Sequence, residues 1–330
     1  MTPDGDIPGG IAATLAALDD FIAAQIRPLE EQGANARFFD HRREWARTDY
    51  ERDGVPSREW EELVTEMRRR ADAAGWLRWG LPERMGGHGA SNLEMAYIRE
   101  HLGARGVGLH DDALYESSVV GNFPVVHMFD AVASPEQREE WIEPMITGER
   151  IVGFALTEPD HGSDATRMDT RAVRDGEEWV IDGAKRWISA AHTASHDIVF
   201  ARTSGEPGEP AGITAFIVPT DSPGFTVEFF WWTMNMPADA AELTLRDVRV
   251  PASAVLGELG AGLASIQHFV HDQRMRQAAQ SLGAAQYCIN AAVERRSPRS
   301  IAASVCSSAS GNWMAWLTLS LRPCVSLAFA

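Results

Sequence analysis

An α+β chain of several domains, helical, then β, then helical again, is predicted by two changes of hydrophobic period and by the turn residues that separate them. Apolar residues recur at helical spacing to about residue 150, alternate in short runs from Ile151 to about residue 257, and return to helical spacing over 258–294. The chain therefore divides into an N-terminal helical domain at 1–150, a middle β domain at 151–257, the start of a C-terminal helical domain at 258–294 and a dissimilar tail at 295–330. Its 330 residues suit two or three domains, each large enough for its own core.

In the first domain, "IAATLAALDDFIAAQI" repeats apolar residues every three or four positions, and "REWEELVTEMRRRADAAGW" does so with charged faces between. "SNLEMAYIREHLGA" opens on Ser91, a good helix cap; "SPEQREEWIEPMITGE" opens on Ser134 with Pro135 at the first helical position. Just before Ser91, "GLPERMGGHGAS" carries a proline and four glycines and reads as a loop. In the middle domain "DTRAVRDGEEWVIDGAKRWIS" alternates on either side of Asp175-Gly176, a hairpin signal, and a second Asp-Gly follows at Asp182-Gly183. "DIVFARTS", "ITAFIVPT", "FTVEFFWW" and "AELTLRDVRVP" read as further strands. "LASIQHFVHDQRMRQAAQSLGAAQYCINAAVE" is a long helix ending near Glu294.

Composition narrows the function. A net charge of −17 argues against nucleic acid and acidic membrane surfaces as partners, so an anionic ligand must be held by local donors. No apolar run reaches the roughly 18 residues of a membrane span, and the acidic start "MTPDGDIPGG" lacks a signal or transit profile, which points to the cytoplasm. Cys288, Cys306 and Cys324 fit neither a disulfide framework nor a zinc site. The tail from Arg295 has four arginines, eight serines and no acid, while all 47 acids precede it. It reads as foreign to the fold.

The stretch "FALTEPDHGSDA", Phe154 to Ala165, is a strand ending in a hydroxyl residue and a glycine-opened turn. A glycine followed by a small hydroxyl residue, here Gly162-Ser163, exposes backbone N–H groups that cradle phosphate oxygens. Thr157 and the main chain of Leu156 can offer donors to a planar heterocycle. In "KRWIS", Trp187 adds an aromatic face and Ser189 a hydroxyl. Together they suit a cofactor with a flat electron-accepting ring and a pyrophosphate tail.

These segments closely resemble the flavin-binding core of the acyl-CoA dehydrogenases, and "LPERMGGHG", "LRDVRVP" and "QRMRQAAQSLGAA" resemble that family in the same order, over about residues 15 to 294. The resemblance implies a middle domain that is β-barrel-like, an incomplete C-terminal helical domain, FAD as cofactor, an acyl-CoA substrate, an electron-transfer flavoprotein as electron acceptor and a homotetramer or homodimer. It implies that Phe154, Ala155, Leu156 and Thr157 bond the pyrimidine side of FAD through the main chain and the Thr157 hydroxyl. Ser163, opened by Gly162, would reach the pyrophosphate or the substrate's pantetheine arm. Trp187 and Ile188 would flank the flavin, with Trp187 covering it. Ser189 would bond N5, and Arg274 would lie near the substrate.

The family's reaction removes an α-proton with a glutamate while a β-hydride passes to flavin N5, giving the 2-enoyl-CoA. In most members that glutamate lies in the last third of the chain; in a minority it directly precedes the arginine matched by Arg274, where this chain has Gln273, which cannot accept a proton. After "NAAVE" the family's Arg-x-x-Phe-Gly segment is replaced by "RRSPRSIAAS". A frameshifted or mis-spliced end, an impaired site and a helix whose apolar face (Leu263, Ile266, Phe269, Val270) lacks partners are the expectations. Other readings are a flavin oxidase or monooxygenase on this scaffold, and a non-catalytic remnant that packs against a partner.

Several features have plainer readings. Phe229 to Trp232 suits sheet core or subunit contact, Arg68 to Arg70 a solvated helix face, and Glu158 a structural role. His192 with His196, and His268 with His271, have metal-compatible spacing but no third ligand, so no metal site is expected.

Overall fold

A computed structural model describes residues 9–112, 117–233, 236 and 239–296. Arg295 and Arg296 continue the last helix; the rest of the 295–330 tail, with the reading placed on it, lies outside the described residues.

The helical layer opens with α1 (Gly9–Phe21), which passes through a π turn (Ile22–Ile26) into α2 (Arg27–Glu31). Pro28 supplies the cause: it has no N–H to give and its ring crowds the preceding turn, which the wider π turn accommodates. After α3 (Arg43–Arg47), the short antiparallel pair β1 (Thr48–Asp49) and β2 (Val55–Pro56) leads to α4 (Arg58–Ala73). Trp60, Leu63, Met67 and Ala71 of α4 are buried at helical spacing. Ser91 starts α5 (Asn92–Ala104) in a capping box with Glu94. The pair β3 (Asp111–Asp112) and β4 (Ser117–Ser118) precedes α6 (Pro124–Val132), a helix not anticipated from the sequence. Its opening run Pro124-Val125-Val126 masks the period over only nine residues, although Pro124 at the helix start was a usable signal. Ser134 and Gln137 form the second capping box, opening α7 (Pro135–Thr147).

The middle domain is one eight-stranded sheet. Its strands are β5 (Val152–Ala155), β6 (Arg171–Asp175), β7 (Glu178–Ile188), β8 (His196–Arg202), β9 (Ile213–Pro219), β10 (Phe225–Phe230), β11 (Ala241–Pro251) and β12 (Val255–Leu256). They lie in the order β10-β11-β7-β6-β8-β9-β12, and β5 pairs parallel with β8. β6 and β7 form the expected hairpin, with Asp175 paired to Glu178 and Gly176 at φ 63° in the two-residue loop. Asp182-Gly183 is no turn. β7 runs straight through it, opposite a register shift in β11, and a Cβ at Gly183 would meet Thr170 Oγ1 at 2.3 Å. Close approach of backbone, rather than chain reversal, is what that glycine permits.

Period-2 alternation in β8 and β9 feeds two cores at once. Ile198, Phe200, Ile213, Ala215 and Ile217 join the helical-domain core; Val199, Ala201, Phe216 and Val218 join a second core inside the sheet. The β domain is thereby fixed against the helices by an apolar face of its own sheet.

α8 (Gly262–Arg296) corrects the expectation of an unpartnered face. Ile266 is buried, and Leu263, Phe269 and Val270 pack against the helical-domain core, because α8 lies along both α5 and α6. It runs parallel to α5, with Gly103 beside Gln280 and Ala284, and Gly106 beside Tyr287. Small residues set this separation. A Cβ on Gly283 would stand 2.0 Å from the Glu100 carbonyl oxygen, so Gly283→Ala is expected to cost about 1–3 kcal/mol through overpacking, read as a lower denaturant midpoint at unchanged slope. Leu282, Ile289 and Val293, farther along α8, are exposed.

Candidate functional site

β5 delivers Phe154 to Thr157 to the end of β7, where two bonds hold the strand exit in place. Arg186 N–H donates to the Thr157 carbonyl at 2.9 Å, and Lys185 Nζ donates to the Leu156 carbonyl at 3.2 Å. Lys185 is fully buried and also donates to Glu158 Oε1 at 2.9 Å. Glu158 in turn accepts the Asp169 and Thr170 amides at 2.6 and 2.9 Å. Burial alone would raise the Glu158 pKa, but Lys185 and these donors outweigh it and hold the carboxylate below its usual range. Burial pushes Lys185 down to about 8, against the pull of Glu158. Both remain charged at pH 7, and the pair works as a structural anchor under residues 156–158.

Next to this strand exit, β7 ends in an unusual backbone. Trp187 and Ala190 both have φ of 63°, in the left-handed region that non-glycine residues seldom enter. The kink leaves the Trp187 ring 46% exposed, resting against Trp231 at 4.4 Å. Ile188 points into the second core with Ala155, so any part either takes in ligand binding falls to its main chain. Ser189 is exposed, as are Gly162 and Ser163 in the turn beyond Glu158. A Cβ at Gly162 would meet nothing within 4 Å. Among the described residues, the hydroxyls of Thr157, Ser163 and Ser189 have no hydrogen-bond partner. A flat ring and a phosphate tail suit this open, donor-lined edge.

Phe154 faces the other way. Its ring stacks on Phe269 of α8 at 3.9 Å with an 8° interplanar angle, tying the strand to the last helix. Gln273, one turn on, accepts from Arg276 Nε at 2.9 Å and Asn122 Nδ2 at 3.5 Å. Arg274 lies on the exposed face of α8, whereas Arg276 is buried. Sequence reasoning missed Asn122, Trp231 and Phe269. Trp231 was legible only as part of an aromatic run, and nothing local marks Asn122. His192 and His196 diverge: His192 Nε2 meets Glu61 Oε1 at 2.7 Å, while His196 packs edge-on against Trp141.

Behind β5, Asp197 of β8 is fully buried beside Gly153, and neither of its carboxylate oxygens has a hydrogen-bond partner among the described residues. Burial raises its pKa to about 7. An unfolded aspartate titrates near 3.9, so the native state holds the extra proton between about pH 4 and 7 and stability falls as pH rises through that window. Asp197→Asn is expected to stabilise the chain by up to about 4 kcal/mol at pH 8 and by little at pH 4, measured as the shift in denaturant midpoint at the two pH values.

The helical layer and the two-core β domain are those of an acyl-CoA dehydrogenase scaffold, and the chain belongs to that family. The acyl-CoA dehydrogenase N-terminal domain matches residues 33–149 and the middle domain residues 153–248. An acyl-CoA dehydrogenase of Mycobacterium tuberculosis is 30% identical over 233 residues, 71% of this chain and 58% of that protein. The human mitochondrial short-chain specific acyl-CoA dehydrogenase is 33% identical over 220 residues, 66% of this chain and 52% of its own. This chain thus spans a little over half the length of these relatives. Among solved structures, a glutaryl-CoA dehydrogenase from Mycobacterium smegmatis in complex with FADH2 superposes with a TM-score of 0.66 at 26% identity, covering 89% of this chain and 67% of that one. An acyl-CoA dehydrogenase from Geobacillus kaustophilus gives 0.61 at 26% identity, over 86% and 67%. Among the described residues no helix is long and apolar enough to cross a membrane.

Proposed function

We propose that the chain binds FAD along the edge formed by residues 154–157, 162–163 and 187–189, and that its site is built for α,β-dehydrogenation of an acyl-CoA thioester to the 2-enoyl-CoA. The observation that carries this reading is the alignment of the Leu156-Thr157 exit with Trp187-Ser189, fixed by Lys185 and Arg186, with three unpartnered hydroxyls on it. Bound FAD would supply the hydride acceptor. The Thr157 hydroxyl and the main chain of 154–157 would hold the pyrimidine side, Ser163 the pyrophosphate or the pantetheine arm, Trp187 the ring face and Ser189 the N5 edge. Arg274, on the exposed side of α8, would meet the substrate's outer portion. An electron-transfer flavoprotein is the matching electron acceptor, a homodimer or homotetramer the matching assembly and the cytoplasm the matching compartment.

A second reading is favoured by Gln273: a carboxamide at the position beside Asn122 cannot take the α-proton, so the chain binds flavin and acyl-CoA but turns over poorly or not at all. Anaerobic addition of a panel of acyl-CoAs to the FAD-loaded chain separates the two. Bleaching of the yellow flavin with 2-enoyl-CoA formation supports dehydrogenation, whereas a spectral shift without bleaching supports binding alone. Rapid reoxidation of bleached flavin by air would point instead to an oxidase.

A further inference from the structure

A cleft of about 650 Å³ lies between α4, the start of α6, the end of α7, the start of β5 and the turn at 190–193. Its volume falls in the range of about 300–1,000 Å³ typical of small-molecule sites. Val64, Leu77, Phe123, Val125, Met145 and Ile151 make its walls apolar. Six charged side chains also line it, and five of them are committed to other groups. Asp72 is held by Arg78 at 2.7 and 3.1 Å, and Arg69 by Glu66 at 2.7 and 2.9 Å. Arg150 is held by Glu140 at 3.0 Å, with its guanidinium 4.5 Å from the Trp141 ring. Glu61 Oε1 lies 2.7 Å from His192 Nε2, and Asp239 accepts the Ala190 N–H at 3.2 Å.

Arg68 is the sixth. The arginine run splits on α4: Arg69 and Arg70 both pair with Glu66, whereas Arg68 turns toward the end of α7. Its Nη2 donates to the Ile146 carbonyl at 3.1 Å, and the guanidinium stands 5.9 Å from the Phe123 ring. Among the described residues it has no carboxylate partner. Its Nε and Nη1 bond none of those residues either, and neither atom is sealed from solvent. One backbone carbonyl leaves the charge unmatched: Asp72 offsets part of it from a distance, yet burial still holds the Arg68 pKa below its ordinary value. An apolar cleft with one open guanidinium suits a molecule that is apolar along its length and ends in a flat anion. Glu61, Asp72 and Asp239 on the same walls oppose a dianion such as phosphate, so the end group carries a single charge.

We propose that this cleft binds an amphipathic carboxylate, with its chain against Val64, Phe123, Val125 and Ile151 and its carboxylate on the open N–H groups of Arg68. Two sources share this chemistry. One is a free chain acid; the other is the carboxylated far end of an acyl group entering past Ala190, one residue beyond Ser189. The test is calorimetric binding of octanoate and of its neutral amide to the full chain. Octanoate is expected to bind about 10-fold or more tightly than the amide, the worth of a hydrogen bond between charged partners. Arg68→Gln should remove that preference and Arg68→Lys keep part of it, while Arg69→Gln and Arg150→Gln leave it in place. Val64→Trp, which keeps Arg68 but fills the apolar wall, should weaken both ligands, and it decides the matter even where Arg68→Gln does not fold. Octanoyl-CoA and the same thioester with a terminal carboxyl separate the sources. An Arg68-dependent gain of about 10-fold from that carboxyl assigns the site to the acyl group; octanoate binding undisturbed by saturating octanoyl-CoA assigns it to a free acid. Equal binding of octanoate and its amide, a preference that survives Arg68→Gln or disappears in Arg69→Gln or Arg150→Gln, or binding that Val64→Trp leaves unchanged would overturn the proposal, whatever the fate of the flavin reading.

Discussion

Lys185→Met is expected to lower the stability of the chain by about 3–5 kcal/mol, because it leaves the Glu158 carboxylate charged and without its cation beneath residues 156–158. The same change removes the Nζ bond to the Leu156 carbonyl, so FAD affinity should fall with stability. Denaturant unfolding and flavin retention on a sizing column measure the two effects. Replacing both partners, Lys185→Met with Glu158→Leu, should recover much of the stability, since two apolar groups carry no stranded charge. It should not recover flavin retention, which depends on the lost main-chain bond. A single variant within about 1 kcal/mol of the parent would show that the pair is not buried as described.

Gln273→Glu is expected to speed flavin bleaching by acyl-CoA by about 10² to 10⁴ relative to the parent chain, the range that general-base help supplies. The position is prepared for a carboxylate. Gln273 Oε1 already accepts from Arg276 Nε and Asn122 Nδ2, and both bonds would carry over to a glutamate oxygen. Arg276 would favour the ionised form and partial burial the neutral one. Comparing anaerobic bleaching rates of parent and variant, both loaded with FAD, decides the matter. Equal rates would mean either that a base elsewhere acts in the parent or that this carboxylate cannot reach the substrate.

Local chemistry explains which parts of this architecture were legible in the sequence. The capping boxes at Ser91 and Ser134 and the strands from β8 to β11 follow from side-chain period and cap residues, which act over a few positions. The segments from Phe154 to Ser163 and from Trp187 to Ser189 stand out in the sequence because their motifs are contiguous, and the structure brings them side by side through the Arg186 N–H bond to the Thr157 carbonyl. Three features could not. Asp182-Gly183 carries the residues of a turn but lies within a strand, because Thr170 approaches its backbone from β6's leading end. Leu263 and Phe269 found partners because α8 slides along α5 on Gly103 and Gly283, a fit between helices far apart in sequence. His192 shares only a spacing with His196 in the sequence, whereas its side-chain partner is Glu61, 131 residues away. Long-range contacts of this kind leave no local trace.

Titration of the full chain with FAD, followed by quenching of flavin and tryptophan fluorescence, tests the central claim most directly, because it asks only whether the edge at Thr157, Ser163, Trp187 and Ser189 holds the cofactor. Saturable binding of one FAD per chain is the predicted result, with affinity reduced about 10-fold or more by Thr157→Val and by Ser189→Ala, each of which removes one hydroxyl. Absence of saturable binding, or binding that neither substitution changes, would contradict it.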